Sequence, residues 1–300
     1  MNTQSMALLV AESGGTKTEW RYGTQDTYET SVRTAGLNPN MMTDRQVQGC
    51  LNAVRSWMRG RPIDRLCFFG AGCGTEDSRL KMRRHLTVIG PELRHIMVNT
   101  DLAAAARVAL GHKPGTCALI GTGSVAFSFD GSEITHRKGG HGFLLGDTSG
   151  GITLGKALIN AYLKGEMPCE VQSPFERSYG GLTSSQLMAM VYQKTPKQSL
   201  AFLGKQTRFI EQYLQHPWIK NLVRDSLNGF IEIDVKPCFE LSGEPLVFGG
   251  GLTHLFHELV FEQCRWHKLP NPVLIKDPLA DALYSQIWKE MTCGNGTSFD

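Results

Sequence analysis

Long hydrophobic runs are missing from this 300-residue chain. No stretch reaches the roughly 18 uncharged apolar residues that a membrane-spanning helix needs, which argues against that architecture. The apolar run at residues 6–11 has no basic flank before it and ends at Glu12, so it predicts a first β-strand rather than a signal peptide. These absences predict a cytoplasmic protein without a membrane partner.

Paired cysteines and a strong net charge are also missing. The eight cysteines are scattered and form no C-x-x-C pair, so the spacing of zinc or iron–sulfur ligands is absent and the thiols are expected to be reduced. The formal net charge of +3 is too small to predict nucleic acid as a partner. With 41% apolar residues, the chain has the composition of an ordinary globular protein of about two domains.

Two segments repeat one order of features: an apolar strand, a turn of small residues, and a second strand. The first turn, at residues 13–18, reads Ser-Gly-Gly-Thr-Lys-Thr, and the second, at 121–124, reads Gly-Thr-Gly-Ser. Strand and helix patterns alternate between the two segments, for example a strand at 95–98 followed by a helix at 102–110. The alternation predicts an α/β architecture, and the repeat predicts a duplicated domain.

A third glycine-rich turn, at residues 249–251, follows a predicted strand at 245–248 and precedes a predicted helix at 252–264. Glycine lets backbone amides approach phosphate oxygens closely, so all three turns are candidate nucleotide contacts. None has the spacing of a P-loop or of a G-x-G-x-x-G turn. Each turn alone is better explained as an ordinary connection, and only the set of three favours a binding function.

Two aspartates stand at positions where chemistry is expected. Asp101 follows the strand at 95–98 and begins a helix, so it is either an N-cap or a catalytic base at the carboxyl end of a strand. Asp147 is the only carboxylate in a glycine-dense loop that runs from residue 139 toward a helix. That loop predicts an anion site at the helix N-terminus. Asp147 either binds magnesium or a substrate hydroxyl, or is a solvated turn residue.

Together these motifs resemble a known superfamily. The segment at 12–19 resembles the first phosphate motif of the actin/sugar-kinase/heat-shock-chaperone superfamily, 121–124 its second phosphate motif, and 248–251 its adenosine motif. Their order, with Asp101 and Asp147, resembles the N-acetylglucosamine-kinase branch, also called the BadF/BadG/BcrA/BcrD ATPase family, from about residue 7 to 290. The resemblance implies an α/β fold of two duplicated ribonuclease-H-like (actin-like ATPase) domains with an interdomain cleft. Residues 1–112 plus 278–300 would form the N-terminal lobe, and 113–277 the C-terminal lobe.

The same resemblance implies an ATP-dependent kinase for an amino sugar, with N-acetylglucosamine and its 6-phosphate as expected substrate and product. ATP and Mg²⁺ would be its cofactors, and Asp101 its catalytic base. The residues expected along the ATP phosphates are Gly14, Gly15, Thr16, Lys17, Thr122, Gly123 and Ser124. Those expected against adenosine are Gly249, Gly250 and Gly251. The expected sugar-binding residues are Asn38, Asp101, Thr122, Gly140 and Asp147, and the expected magnesium ligands are Glu12 and Asp147.

One departure from the family pattern leaves the function open. The loop usually reads Gly-Asp-Glu-Gly-Ser, whereas residues 146–150 read Gly-Asp-Thr-Ser-Gly, so the acid after Asp147 is missing. A non-catalytic regulator that binds nucleotide or sugar is therefore an alternative. A second alternative is an ATPase activator of a dehydratase, although Cys67 and Cys73 do not match its paired cluster ligands. The acceptor sugar also stays open, and a homodimer is one expected assembly.

Overall fold

The structure, a computed structural model, describes residues 6–90, 92–93, 95–142, 144–181, 183–275 and 279–292. Its contacts divide the chain into two units, one formed by residues up to His112 and from Ile275 onward, the other by Lys113–Leu274. Phe143 of the glycine-dense loop, Cys293 and the lobe boundary expected at 277–278 lie outside the described residues. Across the described ranges, no helix combines the length and apolar character of a membrane-spanning segment.

The first unit is a five-stranded mixed sheet in the order β3-β2-β1-β4-β5, with helices on both faces. β1 pairs antiparallel with β2 and parallel with β4, and β4 pairs parallel with β5. The strands are β1 (Leu8–Ser13), β2 (Lys17–Gly23), β3 (Thr30–Ala35), β4 (Arg65–Gly70) and β5 (His95–Asn99). The helices are α1 (Asp44–Met58), α2 (Glu76–Leu86), α3 (Asp101–Leu110) and, from the end of the chain, α13 (Leu279–Thr292).

The side chains of β1 point alternately into two apolar cores, one on each face of the sheet. Leu9 and Ala11 pack into the cluster that contains α1 and α2, whereas Leu8 and Val10 pack into the cluster that contains α3 and α13. Successive side chains of a strand point to opposite faces, so a continuous apolar run is what a strand covered on both faces requires. The first apolar run of the sequence predicts this strand, and the structure places it at the centre of the sheet.

The second unit repeats the arrangement of the first. Its strand order is β10-β9-β6-β7-β8, with β6, β7 and β8 antiparallel and β9 parallel to both β6 and β10. The strands are β6 (Gly115–Ile120), β7 (Ser124–Phe129), β8 (Ile134–Gly139), β9 (Leu246–Gly249) and β10 (Val273–Leu274). The equivalent strand order in the two units confirms the predicted α/β fold with a duplicated domain.

Helices make up most of the rest of the second unit. They are α4 (Gly151–Leu163), α5 (Cys169–Ser178), α6 (Ser184–Tyr192), α7 (Pro196–Lys205), α8 (Thr207–Gln212), α9 (Pro217–Phe230), a π-helical segment (Ile231–Val235), α10 (Lys236–Ser242), α11 (Gly251–Leu255) and α12 (His257–Trp266). The prediction of one helix over 252–264 is wrong, because Phe256 leaves the helical region at φ −109° and ψ 23° and separates α11 from α12. The sequence patterns predict none of β3, β8, α5, the π-helical segment and α10.

A buried carboxylate joins β2 to its neighbours in the first unit. Glu19, with its side chain 4% exposed, accepts hydrogen bonds from Lys17 (2.7 Å), Arg21 (3.0 Å) and Arg33 (2.7 Å). Arg21 also donates to Asp281 of α13 at 2.5 Å, so one network connects the sheet to the last helix. Burial raises the pKa of Glu19, but Lys17 and Arg21 together lower it by more, so the net shift is downward.

Glu19→Gln should lower the free energy of unfolding by about 3 kcal/mol at pH 7, because it leaves the buried Arg21 with a single carboxylate partner. The folded-state pKa lies below the ordinary 4.5, so Glu19 stabilises the fold above that pH, and the contribution is lost as the pH falls through the lowered value. Urea unfolding at pH 7 and at steps below pH 4.5 should therefore show the two proteins converging in acid. Glu76→Gln, which removes an exposed partner of Arg79, is the control and should have little effect. Equal stability of the two variants at pH 7 would contradict the assignment.

Candidate functional site

The turn between β1 and β2 exposes backbone that its own fold does not cover. A Cβ built on Gly14 or Gly15 would meet no atom within 4 Å, and neither residue has a positive φ. Neither packing nor backbone strain therefore explains why glycine stands at these two positions. Lys17, at the end of the turn, is half exposed and forms its ion pair with Glu19.

The segment that leads to Asn38 supports this turn from behind. Gly36 donates its amide to the Thr16 carbonyl at 3.1 Å, and a Cβ on Gly36 would lie 2.5 Å from the Gly14 carbonyl oxygen. The buried hydroxyl of Ser13 accepts the Leu37 amide at 2.9 Å. These contacts fix the position of Asn38 relative to the glycine turn.

Asn38 lies against the loop that follows β4. Its Oδ1 accepts the Asn40 amide at 2.9 Å, and Asn40 Nδ2 donates to the Gly72 carbonyl at 2.9 Å. A Cβ on Gly72, whose φ is +86°, would lie 2.2 Å from Asn38 Oδ1. Only glycine fits there, and the Asn38 side chain is held at this loop.

Asp101 is the first residue of α3 but not its N-cap. The cap is Thr100, whose hydroxyl accepts the Ala103 amide at 3.1 Å, so the interpretation of Asp101 as the cap is wrong. Asp101 Oδ1 accepts the amide of Leu102 at 3.1 Å, and a carboxylate in this first turn is favoured by the helix dipole. Burial, with the charge of Asp101 nearby, raises the pKa of the Cys73 thiol to about 12.

Parallel pairing brings these residues to one edge of the first sheet. Glu12, Phe69 and Asn99 lie in register on β1, β4 and β5, just before the three strands end. Glu12 follows Leu8 and Val10 at a spacing of two residues, so it lies on the same face of the sheet, the one that α3 covers. Glu12, the glycine turn, Asn38 and Asp101 therefore belong to the carboxyl edge of the sheet, where α/β folds bind ligands.

In the second unit, the turn between β6 and β7 is joined to α4. The amides of Gly151 and Ile152, the first two of α4, donate to the carbonyls of Gly121 (2.9 Å) and Thr122 (3.1 Å). The predicted anion site at this helix N-terminus is therefore wrong for these two amides, because the turn already satisfies them. The contacts instead make the turn and the helix one rigid piece.

Asp147 lies directly on this turn. A Cβ on Gly123 would be 2.2 Å from Asp147 Oδ2, and a Cβ on Gly150, whose φ is +105°, would be 2.6 Å from Gly123. Within the part of the chain that the structure describes, no hydrogen-bond donor reaches the buried Oδ1 of Asp147. Burial raises the pKa of Asp147, the amides of Gly142 and Ser124 lower it, and Asp234 raises it. A buried carboxylate oxygen without a partner fits a hydroxyl donor or a cation.

The remaining predicted residues have mixed explanations. A Cβ on Gly250, with φ +95°, would lie 2.4 Å from the Ile120 carbonyl oxygen, and one on Gly140, with φ +67°, would lie 3.0 Å from Val125. The fold itself therefore requires glycine at these two positions. Gly251, in contrast, has open space at its Cβ and begins α11.

Sequence reasoning missed Asp234, which belongs to the π-helical segment. Its side chain is buried, and Thr148 Oγ1 of the Asp147 loop donates a hydrogen bond to it. The available signal was an acid among the buried residues of an apolar helix face, next to Val235 and close to Ile231. Among the residues that the structure describes, no group of three or more His, Cys, Asp or Glu side chains is arranged to hold a metal ion.

Comparison with solved structures identifies the class of fold. The chain is similar to a ROK family glucokinase from Streptomyces griseus in complex with glucose and AMPPNP, at 15% identity and a TM-score of 0.57, covering 93% of this chain and 98% of that one. At this identity the similarity shows the fold alone: two actin-like ATPase domains of the kind found in sugar kinases. No protein-family model and no curated protein matches the chain.

A nearer group of structures is more specific. The chain is similar to a proposed N-acetylglucosamine kinase from Porphyromonas gingivalis at 28% identity and a TM-score of 0.86, covering 95% of this chain and 100% of that one. It is also similar to a proposed N-acetylglucosamine kinase from Chromobacterium violaceum, at 20% identity and a TM-score of 0.69, covering 94% and 98%. The resemblance to N-acetylglucosamine-kinase-like proteins is thereby confirmed, and the comparisons support an ATP-dependent sugar kinase.

Gly123→Ala should displace the Asp147 carboxylate, because the added Cβ and Asp147 Oδ2 cannot both occupy their places. We expect a loss of about 1–3 kcal/mol in the free energy of unfolding, as for other overpacked positions. Gly121→Ala is the matched control, since its Cβ meets no atom within 4 Å and its φ is not positive. Urea denaturation of both variants checks this, and equal stability would show that Asp147 does not rest on Gly123.

Proposed function

We propose that this chain is an ATP-dependent kinase that phosphorylates a hydroxyl of an amino sugar, with N-acetylglucosamine as the acceptor and its 6-phosphate as the product. The observation that carries the proposal is at the edge of the first sheet. The turn after β1 has two glycines that packing does not explain, and Asp101 follows β5 at the same edge of the sheet. The similarity to proposed N-acetylglucosamine kinases supports the choice of acceptor.

The donor phosphates would lie along the two glycine turns. Backbone amides at residues 15–16 and 122–124 would donate to phosphate oxygens, whereas the Gly14 amide already donates to the Lys17 carbonyl at 3.0 Å. The bare Cα atoms of Gly14 and Gly15 would permit close approach. Lys17 would exchange its ion pair with Glu19 for one with phosphate, which its half-exposed side chain allows. The glycines at 249–251 would lie against adenosine.

The acceptor sugar would be held by Asn38, Gly140, Thr122 and Asp147 beside the base Asp101. The buried Oδ1 of Asp147, which no donor among the described residues reaches, would accept a hydrogen bond from a sugar hydroxyl. Asp101 would take the proton of the attacking sugar hydroxyl. The sugar oxygen would bond to the γ-phosphorus of ATP while the bond from that phosphorus to the β–γ bridging oxygen breaks, which releases ADP. Phosphoryl transfer depends mainly on positioning and charge stabilisation, so one base is sufficient.

Magnesium would be held by carboxylates of this chain together with phosphate oxygens and water. Mg²⁺ prefers oxygen ligands and keeps several waters, so one or two carboxylates with phosphate oxygens are enough to hold it. Glu12, at the end of β1, would be the first ligand, and Asp147 is the second candidate. When bound, the ion would neutralise charge on the transferred phosphate.

The arrangement of the cysteines disfavours the alternative of a dehydratase activator. Cys67 packs in the core with α3 and α13, whereas Cys73 packs in the core with α1 and α2. The two thiols therefore lie in cores on opposite faces of the first sheet and do not form a ligand pair. Burial raises the pKa of both to about 12, which opposes the thiolate form that a cluster needs.

Asp101→Asn should lower kcat at least about 100-fold, because general-base assistance is worth about 10²–10⁴-fold. The measurement is coupled ADP release with ATP, Mg²⁺ and a panel of amino sugars and plain hexoses. Titration with a fluorescent ATP analogue should show nucleotide affinity near that of the unmodified protein.

Asp44→Asn is the matched control for this experiment. Asp44 is also the first residue of a helix that a threonine caps, but its side chain is exposed and faces Lys81. It should leave kcat unchanged. Turnover near normal in Asp101→Asn would refute the assignment of the base, and tight sugar binding without any turnover in the unmodified protein would select the non-catalytic regulator.

Gly15→Ala should weaken nucleotide binding at least tenfold while leaving the melting temperature unchanged. The added methyl group meets no protein atom within 4 Å, so any loss must come from the ligand that approaches the turn. Thermal unfolding and titration with a fluorescent ATP analogue measure the two effects separately. Unchanged nucleotide affinity would remove this turn from the phosphate site.

A further inference from the structure

We propose that Asp234 is a positioning residue of the acceptor site, which holds the loop at residues 144–149 through Thr148 and thereby fixes the Asp147 carboxylate. The kinetic part of this inference rests on the proposed function, whereas its structural part does not. Asp234 is distant from the loop in sequence and belongs to the π-helical segment at Ile231–Val235.

The contact between Asp234 and the loop is direct. Thr148 Oγ1 donates to Asp234 Oδ2, and the Asp234 residue is 3% exposed. A Cβ on Gly139 would lie 3.4 Å from the same carboxyl group, so the end of β8 also packs against it. A buried carboxyl group is costly unless it is hydrogen-bonded, and the Thr148 hydroxyl meets that need from the residue next to Asp147.

The π-helical segment explains how Asp234 reaches the loop. Ser226 of α9 contacts the hydroxyl of Ser149 at 2.9 Å, so one continuous helix contacts two successive loop residues. In a regular α-helix each residue rotates about 100° around the axis, so the side chains at positions 226 and 234 would point in directions roughly 80° apart. A π turn acts as a one-residue insertion, which reduces that angle to about 20°. Both side chains are thus presented to the loop.

Polar contacts, rather than apolar packing, hold this loop. Leu144 and Leu145 are 80% and 84% exposed, so the loop buries little apolar surface of its own. Its other hydrogen bonds include the Ser149 amide to Ser124 Oγ at 3.0 Å and Thr153 Oγ1 to the Asp147 carbonyl at 3.1 Å. Backbone amides of the loop also donate to the Gly142 carbonyl at 3.0–3.3 Å. Few apolar contacts mean that local opening is controlled by these hydrogen bonds.

The kinetic experiment uses Asp234→Ala and Thr148→Val, each of which removes one side of the contact. The KM for the sugar should rise about tenfold, as expected for loss of a hydrogen bond to a charged group, while the KM for ATP stays within about twofold. Thr148→Ser keeps the hydroxyl and should restore the sugar KM. Glu232→Ala is the matched control, because it removes an exposed acid of the same π segment that pairs with Lys236 and His267.

Limited proteolysis with thermolysin provides a readout that needs no activity. Cleavage at Leu144 or Leu145, located by mass spectrometry, should become faster in Asp234→Ala and Thr148→Val but not in Glu232→Ala. The double variant should be cleaved no faster than the single ones, because both remove the same contact. A general loss of folding in Asp234→Ala would show as cleavage throughout the chain, and Thr148→Val then decides.

The two proposals fail in different ways. If the unmodified protein phosphorylates no sugar, the proposed function is lost, and the cleavage rates still test Asp234. If cleavage and sugar KM are both unchanged in Thr148→Val, or if the ATP and sugar KM values rise together, Asp234 does not position this loop.

Discussion

The tips of two hairpins, β1–β2 and β6–β7, must form with almost no side-chain volume, and both candidate sites depend on that constraint. At Gly123 in the second turn, and at Gly36 and Gly150 in segments packed against the two turns, the neighbouring backbone or carboxylate leaves no room for a Cβ. At Gly14 and Gly15 there is room that no protein atom uses. Packing thus accounts for the first group, and the second group leaves the turn backbone open to a ligand.

Buried carboxylates extend this logic, because each must have its charge compensated. Glu19 is surrounded by three cationic side chains and serves the connection between the sheet and α13. The Thr148 hydroxyl donates to Asp234, whereas no donor among the described residues reaches Oδ1 of Asp147, although the amides of Gly142 and Ser124 lower its pKa. Glu19 is therefore a structural acid, whereas Asp147 remains a candidate acceptor for a ligand.

The features that sequence patterns predict well are those that local chemistry determines. The buried strands and their glycine turns follow from apolar runs and small residues, and so does the duplication. β3 and β8 escape because they are edge strands of alternating, half-exposed residues with few apolar positions. Asp234 escapes for another reason: its contact with Thr148 spans 86 residues, and a helical acid is ordinarily read as solvent-facing.

The pair Thr-Asp shows why local sequence alone could not separate scaffold from site. It occurs at residues 43–44 and 100–101, and in both places the threonine caps a helix and the aspartate begins it. Asp44 follows a loop and faces solvent and Lys81, whereas Asp101 follows β5 at the edge where the parallel strands end. The same Thr-Asp pair at a helix start therefore gives a surface ion pair in one place and a candidate base in the other, and the position in the sheet makes the difference.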